Sequence, residues 1–251
     1  MLELFITVCL FNLDLKANAK TRSWTDLNTA NIMWDIDSID HWTISDIYQQ
    51  FGRPQKATLP EAQIKAGELV SPVHIPADMA RLPIYLGDFG LSFHLSQPVA
   101  NFIQTPLAFC APERYHGMVS TLSSDVWSYT TIFAMLYLGA NVFLGEGTRC
   151  ISYIVAMVGP LPEHWKVCYS GSTAALDWWY DHSGQFSPPK MPLHTLEERI
   201  TTFRPEISKE ERDHVLSIVR RGWCYQPEHR VTLAELLEDS SFKELMALYG
   251  A

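Results

Sequence analysis

Two tripeptides in a fixed order constrain this chain more than any other feature of it. Asp88-Phe89-Gly90 follows a short apolar run, Pro83-Ile84-Tyr85-Leu86, and Ala111-Pro112-Glu113 comes next, its alanine 23 positions after the aspartate. A single three-residue match in 251 residues arises by chance. Two in order, with further matches on either side, are a strong signal that brackets the segment between them. The chain is long enough to hold such a segment on a sizeable core, since 47% of its residues are apolar, and its 12% aromatic content argues against disorder.

Charge and cysteine usage narrow the function classes. Lys and Arg number 19 against 28 Asp and Glu, a net charge of −9. Nucleic-acid binding needs basic surface for phosphates and is disfavoured, whereas a basic protein partner is compatible with this balance. Cys9, Cys110, Cys150, Cys168 and Cys224 are odd in number and contain no C-x-x-C pair. They read as reduced thiols of a cytoplasmic or nuclear protein rather than a disulfide frame or a zinc site. None of the nine histidines has the H-x-x-x-H spacing beside a glutamate that marks a metalloprotease. The apolar start, Met1 to Leu10, has no basic leader and no small-residue cleavage site, and it is too short to span a bilayer. It reads as a buried helix over 2–13, and no membrane partner is expected.

The periodicities predict a mainly α protein with a few short strands, an α+β arrangement. Strands are expected near 32–35 and 83–86, and a short helix at 44–51. The stretch 36–82 reads as a loop-like insert within a single domain spanning 1–251, because it carries Pro54, Pro60, Pro72 and Pro76. Tyr129 to Leu138 is apolar nearly all round and predicts a core helix that stops at Gly139. A further helix is expected over 149–158. Ser208-Lys209-Glu210-Glu211 and Thr232-Leu233-Ala234-Glu235 read as capping boxes that open helices over 209–221 and 233–248.

Asp26 and Asn31, five positions apart, precede the bracketed segment. With Asp88 they supply what phosphoryl transfer asks of a protein. Asp26 fits the carboxylate that takes the proton of an attacking hydroxyl. Asn31 and Asp88 fit oxygen ligands for Mg²⁺ on the phosphates of ATP. Taken alone, Asp26 and Asn31 fit a polar loop of turn-forming residues equally well.

From Asp26 to Arg230 the chain resembles the carboxyl-terminal lobe of a eukaryotic protein kinase. The resemblance rests on Asp26-x-x-x-x-Asn31, Asp88-Phe89-Gly90, Ala111-Pro112-Glu113, Asp125-Val126-Trp127-Ser128 and Trp223-x-x-x-Pro227-x-x-Arg230. It implies that Glu113 and Arg230 form a buried ion pair and that Asp125 steadies the catalytic loop. Softer likenesses point to the SR-protein kinases and their fungal relatives. These are Trp24-Thr25-Asp26-Leu27, Ile103-Gln104-Thr105, Val158-Gly159-Pro160-Leu161-Pro162 and the long insert. That subgroup implies Ser/Thr specificity and basic, Arg/Ser-rich substrates.

The chain also departs from the family pattern. Only 25 residues precede Asp26, where the family's amino lobe takes roughly a hundred, and no G-x-G-x-x-G or V-A-I-K run is found. The expectation is therefore a C-lobe lacking the N-terminal β-lobe, with an exposed apolar face near Ile32 and Leu86. Trp24 stands where the family has His, Thr25 where it has Arg, and Asn28 where it has the catalytic-loop Lys. The stretch from Thr105 to Ala111 is one residue longer than the family spacing, and Cys110 reads as a small buried residue. Two readings stay open: a protein Ser/Thr kinase, or a catalytically dead pseudokinase that binds a protein partner. A small-molecule phosphotransferase of the aminoglycoside-kinase type is disfavoured, because that type lacks the Ala-Pro-Glu, Asp-Val-Trp-Ser and late-Arg features.

Overall fold

The computed structural model of the chain describes residues 22–23, 26–57, 69–94, 106–144, 148–168, 179–180 and 194–250. The helix expected over 2–13, together with Trp24, Thr25 and Ile103 to Thr105, lies outside them. The chain divides into two compact units, Met33–Tyr85 and the remainder.

The larger unit is helical and is built on α3, Leu122–Leu138, of which 13 residues are buried. Its sequence has no polar stripe, and other elements pack around it accordingly. Gly139 ends it in the left-handed region, at φ 64°. Before it stands the short helix α2, Pro112–Tyr115. After it come α4, Thr148–Val158, and α5, Leu196–Phe203. Then follow α6, Lys209–Gly222, α7, Leu233–Glu238, and α8, Ser240–Leu248. The strands here are minimal: β1, Arg22–Ser23, runs antiparallel to β6, Phe93–His94, with Ser23 opposite Phe93.

Aromatic packing fixes the floor of this unit. Trp127 of α3 stacks on Phe143 and Tyr225, and Trp223 lies tilted against both Trp127 and Phe143. Trp223 also donates its indole N–H to Thr131 Oγ1 at 3.1 Å. The helix α6 thereby closes onto α3, with Val215, Ile218 and Val219 buried on its inner face.

Two sequence expectations change at the C-terminus. The helix expected over 233–248 is two helices. Asp239 holds an extended backbone between them and accepts Phe242 N–H at 3.1 Å, so it caps α8 instead of continuing α7. The Ser208 box is only half formed. Ser208 Oγ accepts Glu211 N–H at 3.0 Å, but the Glu211 carboxylate turns away to Tyr137 and Tyr249, each hydroxyl at 2.6 Å. Two phenolic donors from α3 and the chain end outcompete one local backbone N–H. The Thr232–Glu235 box forms in full.

The smaller unit contains the short helix expected at 44–51, together with paired strands. The helix α1, Ile44–Phe51, begins at a full capping box between Thr43 and Asp46. Trp42 stacks on Phe51 across it, ring centroids 5.8 Å apart. The strands β2, Ile32–Ile36, and β5, Ala80–Leu86, pair as one ribbon, both longer than their sequence expectations. Pro83 is tolerated because a two-stranded ribbon consists of edges alone. The strands β3, Lys56–Ala57, and β4, Leu69–Val70, form a second antiparallel pair with Lys56 opposite Val70. The expected apolar face shifts by a residue or two: Ile32 and Leu86 are partly covered, while Met33, Trp34 and Tyr85 are about half exposed.

The contact between α6 and α3 gives a direct check on this packing. A methyl group added at Gly222 would collide with the Thr130 side chain. Gly222→Ala is expected to lower unfolding stability by about 1–3 kcal/mol in a denaturant titration, through overpacking. An unchanged midpoint would show that the two helices are not in close contact there.

Candidate functional site

The loop around Asp26 is shaped by its own amides. Asn28, almost fully buried, donates from Nδ2 to the Asp26 carbonyl at 3.0 Å and to Asp26 Oδ1 at 2.9 Å. Its Oδ1 accepts Ala30 N–H at 2.9 Å and so caps a 3₁₀ turn, Thr29–Asn31. Asn31 closes the loop from the far side, with Nδ2 donating to the Asp26 carbonyl at 2.9 Å and to Asp26 Oδ2 at 3.3 Å. Each Asp26 carboxylate oxygen therefore faces a neutral amide donor.

One backbone bond brings the second half of the candidate site to the first. Gly87 N–H donates to the Asn31 carbonyl at 2.8 Å, which sets Asp88, the next residue, beside this loop. Asp88 has φ 54° and ψ 68° and is the one non-glycine with positive φ among the described residues. Aspartate tolerates this conformation better than most residues, and Asp88 Oδ1 caps the following 3₁₀ turn, Phe89–Leu91, by accepting Gly90 N–H at 3.4 Å.

The donor set suits a hard cation. The Asn31 amide nitrogen donates twice to Asp26, and its Oδ1 takes no hydrogen bond among the described residues. Asp88 is exposed, and among the described residues its carboxylate has only the long Gly90 contact. Oxygen donors of this kind match Mg²⁺. No Lys or Arg side chain bonds to Asp26, Asn31 or Asp88 among the described residues.

The far end of the tethered segment is locked into the core. Glu113 and Arg230 form a two-pronged ion pair, Nη1 to Oε1 and Nη2 to Oε2, each 2.9 Å, with both side chains essentially inaccessible to solvent. The remaining guanidinium donors reach the carbonyls of Cys224, Ser123 and Tyr225 at 2.9, 2.6 and 3.3 Å. Ser124 Oγ adds a bond to Glu113 Oε1 at 2.8 Å while accepting Thr121 N–H. The guanidinium also lies over the Trp127 ring, 5.2 Å from its centroid. Ser124 escaped the sequence reading; its signal was the Thr121-x-x-Ser124 spacing at the start of α3. Asp125 is buried in the first turn of α3.

Just before Glu113 the segment is pinned again. Leu107–Phe109 forms a 3₁₀ turn whose Leu107 carbonyl accepts Tyr115 Oη at 2.7 Å and Cys150 Sγ at 3.3 Å. Ser128 Oγ of α3 donates to the Phe109 carbonyl at 2.8 Å. Cys110 is buried, consistent with a packing role, and burial pushes the Cys150 thiol up to about 11. A cluster elsewhere, Glu210, His214 and Glu244, consists of a half-buried imidazole 3.0 Å from one exposed carboxylate with a second nearby.

His116 follows α2 and was not singled out by any motif. Its Nδ1 donates to the Pro112 carbonyl at 2.8 Å, and its Nε2 meets Tyr180 Oη at 2.5 Å. Burial holds its pKa below the ordinary 6.5, against the opposing pull of the Pro112 bond and the Glu113 charge. Above pH 6.5 the imidazole is neutral both folded and unfolded, so its contribution to stability is complete. As pH falls through 6.5 the unfolded chain takes up a proton that the folded site resists, and stability falls. His116→Gln is therefore expected to flatten the loss of stability as pH falls below 6.5, read as denaturant midpoints. An unaltered slope would count against a buried neutral imidazole.

No family model and no curated protein matches the chain. Among solved structures it is similar to the kinase domain of PF14_0431, with a TM-score of 0.58 and 18% sequence identity. That likeness covers 96% of this chain and 66% of the solved one, so the chain spans just under two thirds of its length. No helix among the described residues is long and apolar enough to cross a membrane. The helical packing around α3, the anchored segment and this structural neighbour together give the chain a protein-kinase-like fold, mostly helical and like the C-lobe of that fold.

Proposed function

We propose that the chain serves ATP-dependent phosphoryl transfer to Ser/Thr hydroxyls of protein substrates, as a protein serine/threonine kinase. The observation that carries this reading is the Gly87–Asn31 bond, which sets Asp88 beside the loop of Asp26 and Asn31. Asp26 takes the proton of the substrate hydroxyl as its oxygen bonds to the terminal phosphorus of ATP, while the bond from that phosphorus to the bridging oxygen breaks and ADP leaves with the electron pair. Asn31 and Asp88 would hold Mg²⁺ through their side-chain oxygens, and the ion would supply neutralisation of phosphate charge. Glu113 and Arg230 keep the end of the substrate-facing segment in place. The net charge of −9 supports basic, Arg/Ser-rich substrates of the kind taken by SR-protein kinases. The compartment that goes with this reading is cytoplasmic or nuclear.

A second reading is a pseudokinase that binds a protein partner without catalysis. Asn28 favours it. A neutral amide occupies the position where the family carries a lysine, and Asp26 is held by two neutral donors. Loss of one such transition-state contact typically lowers a rate by about 10²–10³.

The decisive assay is transfer of labelled phosphate from ATP to an Arg/Ser peptide by the full protein. Slow, Mg²⁺-dependent transfer that disappears in Asp26→Ala supports the first reading. No transfer, with Mg²⁺–ATP binding retained, establishes the second. Absence of both transfer and binding overturns a nucleotide function altogether.

A further inference from the structure

We infer that Asn28 is the positioning residue of the candidate cation site, acting through both Asp26 and Asn31. The inference rests on the reading of Asn31 and Asp88 as cation ligands and assigns the residue that sets them. Asn28 uses every polar atom of its side chain. Nδ2 spans the Asp26 carbonyl and carboxylate, and Oδ1 caps the turn that carries Asn31. It is 4% exposed, so these bonds form out of water, where an amide left unpaired is costly.

The consequence for the site follows from where the Asn31 amide points. The turn capped by Asn28 delivers Asn31, and Asp26 then claims the Asn31 nitrogen from the other side. With its nitrogen so engaged, the Asn31 amide presents its oxygen outward, ready for a cation. Asn28 thus fixes both ends of this arrangement while having no contact with the ion. It also explains how the loop keeps its shape with no lysine in it. Two neutral amides hold the carboxylate, and a divalent cation supplies the positive charge that no described Lys or Arg side chain supplies here.

The test uses the full protein, with Mn²⁺ as a paramagnetic probe for the Mg²⁺ position. Asn28→Ala is expected to weaken Mn²⁺ binding about tenfold, close to the loss in Asn31→Ala, because each removes the same oriented oxygen. The double variant is expected to bind no more weakly than Asn31→Ala alone. A merely structural role for Asn28 would instead give additive losses. Hydrogen exchange of the Ala30 backbone amide and the Asn31 side-chain amide, measured without metal, tests the clamp independently. Both should exchange faster in Asn28→Ala while the α3 amides keep their protection. If the unaltered protein binds no Mn²⁺, the reading of Asn31 and Asp88 as ligands fails, and the exchange data alone decide the clamp. If Asn28→Ala leaves Mn²⁺ affinity and exchange unchanged, the role assigned to Asn28 is overturned.

Discussion

The buried pair of Glu113 and Arg230 is the contact on which the rest of the larger unit depends. Two opposite charges this deep are stable only when every remaining donor and acceptor finds a partner. Here they do. All five guanidinium N–H groups are directed at oxygens, and Glu113 gains a hydroxyl from Ser124. The segment end and the start of α3, near each other in sequence, meet here the distant turn after α6. The pair does not merely hold two residues together; it fixes where the chain returns after 117 positions.

From that anchor the geometry runs outward to the candidate site. The start of α3 is tied to Glu113, and the turn at Leu107–Phe109 is tied to α3 through Ser128. At the other end of the segment, Gly87 is bonded to Asn31. The tethered segment is thus held at one end by α3 and Arg230 and at the other by the Asp26 loop. The Asp26 loop itself is held by different means: the Asn28 and Asn31 amides both donate to Asp26. A site that exchanges cationic side chains for amide clamps keeps its shape but gives up fixed positive charge.

What was legible in the sequence follows from how local each signal is. The capping residues of α6 and α7 bond within three positions, so Ser208 and Thr232 could be read as helix starts. Arg230 was legible as the partner of Glu113 because both sit inside spaced motifs. Glu211 was misread because its local bond lost to two tyrosine hydroxyls from distant elements. Asp239 was missed because helical periodicity runs through it although its side chain caps the next helix. Within 36–82 the helix at 44–51 was legible, whereas the pairing of Lys56 with Val70 was not, because it is non-local and prolines and short strands conceal it. Asn28 registered only as a missing lysine. Its three bonds, reaching residues two positions either side, emerge only once the loop has folded back on itself.

The most direct test of the anchor is a double-mutant cycle on Glu113→Gln and Arg230→Met, read as unfolding free energies. A desolvated pair at the centre of the fold predicts losses of about 3–5 kcal/mol for either single change, because each strands a buried charge. The double variant should then lose little more than one single variant, giving a large coupling energy. Single losses below about 1 kcal/mol that simply add would contradict it, and would place the pair among ordinary surface ion pairs.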